Sequence, residues 1–312
     1  MNGVGDPIRE GAFDDLRDSV APVLERFMEA GYRLYLVGGL VRDRLVGATR
    51  AADHDLTTDA TPEVIRQLVD GVADAVWLQG ERFGTVGIRV GDLAMEITTH
   101  RAESYVGDSR KPVVRFSTDL HEDLGRRDFT VNAMAVDVAN GQLHDPFDGR
   151  SDLVAGVLRT PLSPEVSFGD DPLRMLRAAR FHAGYDLTPV DGLVEAARSL
   201  ADRIGIVSGE RIRGELFRLL EVADPTGGFD FLEEVDLGWR VLPEFARLDA
   251  DARSSTLERV AATTADPVLR LAVIAWSTAG LAETAVALRL SGADADRITL
   301  LVDAAERIRI GG

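Results

Sequence analysis

The sequence has no cysteine, which excludes disulfides, thiolate metal centres and cysteine nucleophiles and agrees with a reducing compartment. It has no apolar run near the ~18 residues that a membrane-spanning helix requires, so no membrane partner is expected. The opening stretch MNGVGDPIREGAFDD has neither a basic start nor an apolar core, so no leader is expected and a cytoplasmic location is. Lysine is nearly absent: Lys111 stands alone, and the rest of the 35 basic residues are arginine. No internal repeat or low-complexity segment interrupts the chain.

The 312 residues, 45% hydrophobic and 28% charged, suit a globular chain with one large core or two to three smaller ones. The net charge of −17 argues against nucleic-acid binding on totals, because that binding draws on cations that neutralise phosphates. The arginines are nevertheless gathered, with Arg101, Arg110, Arg115, Arg126 and Arg127 in one stretch and Arg174, Arg177 and Arg180 in another. Guanidinium groups make planar, paired contacts to phosphates and base edges, so a local patch can work within an acidic whole.

Hydrophobic periodicity predicts a helix over 13–30, a short strand in YRLYLVGG ending at Gly38 and Gly39, a helix in VRDRLVG and a strand in HDLTTDA. A helix follows from Pro62, with Thr61 as N-cap and Glu63 in its first turn. TVGIRVGDLAMEITTH reads as a hairpin turning at Gly91-Asp92, with Glu96 on its second strand. Residues 101–127 are polar and aperiodic and read as a long mobile loop. From about Phe168 strand signals cease and helical runs continue to the end, giving an α+β head followed by an all-helical part.

A strand ending in Gly38-Gly39 and running into a helix lets the backbone approach an anion closely, and Arg42 one turn later could reach the same anion. Taken alone, this also reads as an ordinary strand-to-helix turn. Asp53 and Asp55, two apart at the predicted strand, project from one face and could grip a hard cation such as Mg²⁺. Alone, such a pair also reads as a solvated surface feature; beside a phosphate cradle the metal reading is favoured. Glu96 could complete a three-acid cluster, or could simply face outward. Arg174, Arg177 and Arg180 recur every three residues after Asp171, so that an acceptor and forked donors could share a helix face.

The segments LYLVGGLVRD, DHDLTTDATPE, EITTHRAESY, EDLGRRDFTVNAMA, DPFDGRSDL, FGDDPLRMLRAARF and ERIRGELFRLL resemble, in order, the motif series of the class II tRNA nucleotidyltransferase and poly(A) polymerase family, which includes the bacterial CCA-adding enzymes. The likeness covers about residues 32–222. It implies a nucleotidyltransferase head with a mixed or antiparallel sheet, an all-helical neck and a short helical body: an N-terminal helix over 1–30, the head over 31–160, the neck over 161–226 and the body over 227–312.

By that resemblance Asp53 and Asp55 are Mg²⁺ ligands, with Glu96 as the further catalytic carboxylate. Gly38, Gly39 and Arg42 hold the triphosphate, Arg127 and Asp128 contact phosphate and ribose, and Asp171, Arg174, Arg177 and Arg180 present edges to the base. Arg101, Glu103, Tyr105, Asp108 and Arg110 match a flexible loop that helps the family turn from C to A addition. The implied activity is addition of CMP and AMP from CTP and ATP to tRNA 3′ ends, with pyrophosphate released. A-only or poly(A) addition, and an inactive RNA-binding or regulatory derivative, are the alternatives. Two departures stand out. Asp170 occupies a position that is usually Glu, and Trp276 and Ser277 stand where a phosphohydrolase module would carry His and Asp. With histidine only at 54, 100, 121, 144 and 182, no His pair can form in the body, and phosphohydrolase activity is not expected.

Overall fold

The computed structural model describes residues 13–47, 54–104 and 113–311, and the chain divides into two compact units, Met1–Ser163 and Pro164–Gly312.

In the first unit, α1 (Asp14–Glu29) buries Leu16, Val20, Val23 and Phe27, a stripe at helical spacing. The chain then enters β1 (Leu34–Val37), turns through Gly38 and starts α2 (Gly39–Leu45). β2 (His54–Thr58) leads to α3 (Pro62–Val69), which packs on α1 and contacts the following sheet strands. After β3 (Ala75–Trp77), β4 (Thr85–Val90) and β5 (Leu93–Thr99) form the expected hairpin about Gly91. β6 (Arg101–Ser104) pairs antiparallel with β7 (Val113–Phe116), and α4 (Leu120–Gly125) follows. β8 (Ala135–Asp137), β9 (Leu143–His144) and α5 (Gly149–Ala155) complete the elements that matter for the site.

The sheet runs β3-β4-β5-β2-β1-β8-β9. Its described pairings are antiparallel except β2 with β5, so it is mixed. Alternation along the strands separates two faces. Leu56, Val86, Ile88, Met95 and Ile97 share the buried one. Asp55, Thr57, Gly87 and Glu96 share the other. Over the β1 and β8 part of this second face, Tyr35, Val37 and Ala135 pack with Leu124 of α4 and with Ala133, while Glu96 stays exposed.

Two elements differ from the sequence expectation. α2 begins at Gly39 itself, one residue after the glycine turn. The stretch 101–127 is not one long loop: it contains the β6–β7 pairing and α4, whose N-cap Asp119 accepts a hydrogen bond from the His121 amide at 2.8 Å. Backbone pairing and capping supply order there that apolar periodicity does not announce.

The second unit holds α6 (Pro164–Asp170), α7 (Leu173–Tyr185), α8 (Asp191–Ser199), α9 (Gly209–Leu220), α10 (Thr226–Glu234), α11 (Gly238–Val241), α12 (Pro243–Ala246), α13 (Ala250–Ala262), α14 (Pro267–Ser277), α15 (Ala282–Ala287) and α16 (Gly292–Gly311). Apart from a two-residue strand segment, Thr188–Pro189, its described residues form helices and turns. α7 packs on α9 and α10, and α14 on α9, α13 and α16. Arg270 of α14 is fully buried and donates to the carbonyls of Leu220, Val222, Ala223 and Thr263, so it satisfies the C-terminal end of α9 from inside the core. Trp276 donates its indole N–H to Glu306 at 2.7 Å, and Arg259 lies over its ring and donates to the Ser277 hydroxyl at 3.1 Å.

Candidate active site

Strand register builds the centre of the first unit. Asp55 on β2 is the direct partner of Glu96 on β5, which puts the two Cα atoms about 4.8 Å apart with both side chains on one face. The row continues through Gly87 of β4, the partner of Glu96, to Trp77 of β3, the partner of Gly87. Asp53, the other expected metal ligand, lies outside the described residues.

The glycine turn borders the same row. Gly38 has φ 72° and ψ −139°, a conformation open to glycine and costly for other residues. A Cβ there would stand 3.2 Å from Nη1 of Arg127 and 3.9 Å from Oδ2 of Asp55, so the turn, the guanidinium and the carboxylate converge. Gly39 lies against Arg42, whose guanidinium would be 3.3 Å from a Cβ at that position.

Arg42 itself is 5% exposed. It pairs with Asp43 at 2.7 Å and donates to the Asn132 carbonyl oxygen. Asn132 in turn donates to Asp128 Oδ1 at 2.9 Å, where the Phe129 amide also donates at 2.8 Å. Arg42 and Asp128, expected as separate nucleotide contacts, thus belong to one hydrogen-bonded chain through Asn132. Asp43 and Asn132 were not singled out in the sequence, although both lie within the motifs quoted above.

Beside the row, against Thr57 on the same face, lies Asp123, fully buried. Arg126 meets its Oδ1 at 2.7 Å and Arg127 its Oδ2 at 3.2 Å. Burial alone would raise this carboxyl; the two arginines more than offset that and hold it well below the usual carboxylate range. Thr57, two residues beyond Asp55, bonds the His100 ring nitrogen at 2.8 Å and lies 3.4 Å from Asp123. Burial keeps the His100 imidazole below its ordinary value, with Asp123 and Asp59 opposing in part. Asp123 therefore fixes Arg127 against the glycine turn. An acid three residues before an Arg-Arg pair was the available signal.

In the second unit the four residues expected to present edges to a base divide. Asp171 is not on the same helix as the arginines: it precedes Pro172, and its Oδ1 accepts from the Leu173 amide at 3.2 Å at the start of α7. Its Oδ2 pairs with Arg211 at 2.8 Å. Arg174 donates to the Ser167 hydroxyl at 2.9 Å. Arg177 and Arg180 turn instead toward Glu215 of α9, at 3.3 Å and 2.9 Å, with Arg218 adding a third contact at 2.7 Å. Glu215 is 3% exposed; burial pushes its carboxyl up, and Arg180, Arg177 and Arg218 together hold it below its ordinary value. A helix rotates about 300° over three residues, so a three-residue repeat drifts around it, and the arginines meet different neighbours.

Of the loop residues, Arg101 starts β6 and donates to the Phe83 carbonyl, and Glu103 lies on β6 opposite Val114. Tyr105, Asp108 and Arg110 lie outside the described residues. Among the described residues no group of three or more His, Asp or Glu side chains forms a metal cluster. The carboxylates of the register partners Asp55 and Glu96, beside a turn that presents backbone and guanidinium to an anion, suit a hard divalent ion that shares its coordination with phosphate. No helix is long and apolar enough to cross a membrane among the described residues.

The poly A polymerase head domain family matches residues 34–159, and the family described as the probable RNA and SrmB-binding site of polymerase A matches residues 191–248. A CCA-adding enzyme of Staphylococcus aureus (strain MRSA252) is 37% identical over 235 residues, 75% of this chain and 57% of the relative. One from Ligilactobacillus salivarius (strain UCC118) is 37% identical over 234 residues, 75% and 56% respectively. The chain thus spans a little over half the length of these relatives. Among solved structures, the Bacillus stearothermophilus CCA-adding enzyme in complex with CTP is 28% identical with a TM-score of 0.77, over 95% of this chain and 71% of that one. The fold is also that of the Thermotoga maritima CCA-adding enzyme complexed with tRNA, 23% identical with a TM-score of 0.71, over 96% and 72%.

Proposed function

The chain belongs to the tRNA nucleotidyltransferase and poly(A) polymerase family, and on that premise we propose that it adds CMP and AMP to tRNA 3′ ends from CTP and ATP in the cytoplasm. The observation that carries the reading is the meeting of Gly38, Arg127 and Asp55, with Glu96 as the register partner of Asp55.

In this reading the RNA 3′ oxygen attacks the α-phosphorus of the bound nucleotide, the bond to the bridging oxygen breaks, and pyrophosphate leaves. The Gly38-Gly39 turn and Arg127 bind the phosphate tail, and Asp123 keeps Arg127 in place. Arg42 shapes the turn while Asn132 and Asp128 orient the ribose. Asp53 and Asp55 would hold Mg²⁺, which when bound offsets the charge that builds on the transferring phosphoryl group. Glu96 takes up the proton of the attacking hydroxyl. Asp171 and Arg174 present hydrogen-bonding edges to cytosine or adenine, with Arg177 and Arg180 held behind them by Glu215. Residues 161–226 act as the neck, and 227–312 as a short body.

The test is incubation of the purified protein with Mg²⁺, a tRNA lacking its 3′ end and each labelled nucleotide in turn. Incorporation of C and then A is expected. A alone would replace this reading with A addition or poly(A) synthesis, and RNA binding without incorporation would replace it with a regulatory role.

A further inference from the structure

A cavity of ≈390 Å³ is lined by His121, His144 and Asp145, but among the described residues these side chains do not come together as a metal-holding group. A second cavity lies beside the catalytic row. About 330 Å³ in volume, it is bounded by Trp77, Phe83, Gly87, Glu96 and Arg101, all within the first unit. Its floor is the continuation of the row: Glu96 pairs with Gly87 and Gly87 with Trp77. The indole covers Gly87, since a Cβ there would fall 1.8 Å from its Nε1 and 2.1 Å from its Cε2. Phe83 is 40% exposed at the rim, and Arg101 donates to its carbonyl.

We infer that this cavity receives the 3′-terminal nucleoside of the RNA acceptor, its base stacked on Trp77 and its 3′-hydroxyl turned toward Glu96. The inference rests on the proposed transfer reaction and adds the acceptor subsite to it. In-line displacement requires the attacking and leaving oxygens on opposite sides of the phosphorus. The phosphate corner of Gly38 and Arg127 flanks Asp55 on the β1 side, so the attacking ribose must arrive over Glu96 from the β4 side, where this cavity opens. The aromatic floor suits the task. An end that grows presents a different terminal base at each step, and stacking accepts any base because every base has a π face. Arg101 adds a cation where the acceptor's phosphates would run.

The test uses the full chain with Trp239→Phe and Trp276→Phe, which leaves Trp77 as the only indole. Titration with a short single-stranded RNA bearing a free 3′-hydroxyl, without nucleotide, should quench its emission saturably. In kinetics, Trp77→Ala should raise the RNA KM roughly tenfold or more, while CTP affinity measured without RNA changes less than twofold. Trp77→Phe should restore most of the loss and serves as the folding control. An active protein whose Trp77 emission ignores saturating RNA, or a Trp77→Ala variant that loses CTP affinity and keeps its RNA KM, would overturn the subsite while leaving the transfer reaction standing. RNA-dependent quenching in a protein that incorporates no nucleotide would keep the subsite and remove the transfer reaction.

Discussion

Asp55 and Glu96 face each other across the β2–β5 pairing, the parallel one among the described pairings of the sheet. Two carboxylates on one face, about 4.8 Å apart at Cα, favour a cation placed between them. Their placement beside the Gly38 turn points to that cation and to the phosphates it would share. We expect Asp55→Asn and Glu96→Gln each to lower single-turnover incorporation roughly 100-fold or more. Thermal unfolding should shift little, because neither side chain is in the core. Full activity in Asp55→Asn would contradict the assigned site.

Gly38→Ala tests the turn. The alanine must adopt φ near +72° and its methyl meets Arg127 at 3.2 Å, so about 1–3 kcal/mol of strain is expected. The nucleotide KM should rise, and an unchanged KM in a folded variant would separate the turn from phosphate binding.

Glu215→Gln tests the arginine cluster of α7 and α9. The substitution leaves Arg177, Arg180 and Arg218 without the charge they share. Removing one partner from a buried ion-pair cluster costs about 3 kcal/mol, readable as a lower urea midpoint. Because the folded carboxyl lies below its ordinary value, its contribution is present above that value and lost as pH falls through the folded one. The gap between native protein and Glu215→Gln should therefore narrow below pH ~4.

His100 gives the opposite end of the pH range. Its imidazole is buried and held below the ordinary histidine value, so the unfolded chain takes up the proton first as pH falls. Stability is fully present above about pH 6.5 and should decline from there toward pH 5, while His100→Asn should flatten that slope. A native midpoint that is level across this window would overturn the assignment.

Arg270→Met removes the buried donor that satisfies the Leu220, Val222, Ala223 and Thr263 carbonyls. Each carbonyl left dry costs about 1–3 kcal/mol, so a large loss of thermal stability is expected, with the unfolding signal dominated by the helical unit.

Local chemistry made much of this protein legible in its sequence. Alternating apolar residues gave the strands, Thr61-Pro62 marked a helix start, Gly91-Asp92 a hairpin, and Gly38-Gly39 a backbone that approaches something charged. Those features depend on a few neighbouring residues, so adjacency in the chain suffices to read them. The roles of Asp123, Asn132 and Glu215 depended on residues brought close by folding. Asn132 reaches Arg42 across 90 positions, and Glu215 reaches Arg180 across 35. The register that sets Asp55 against Glu96 and lays Trp77 over Gly87 is likewise a property of paired strands. Sequence determined which groups could do the chemistry, because charge and conformational freedom belong to the residue. Tertiary structure decided which of them meet, because backbone pairing and burial act between segments that the chain order leaves far apart.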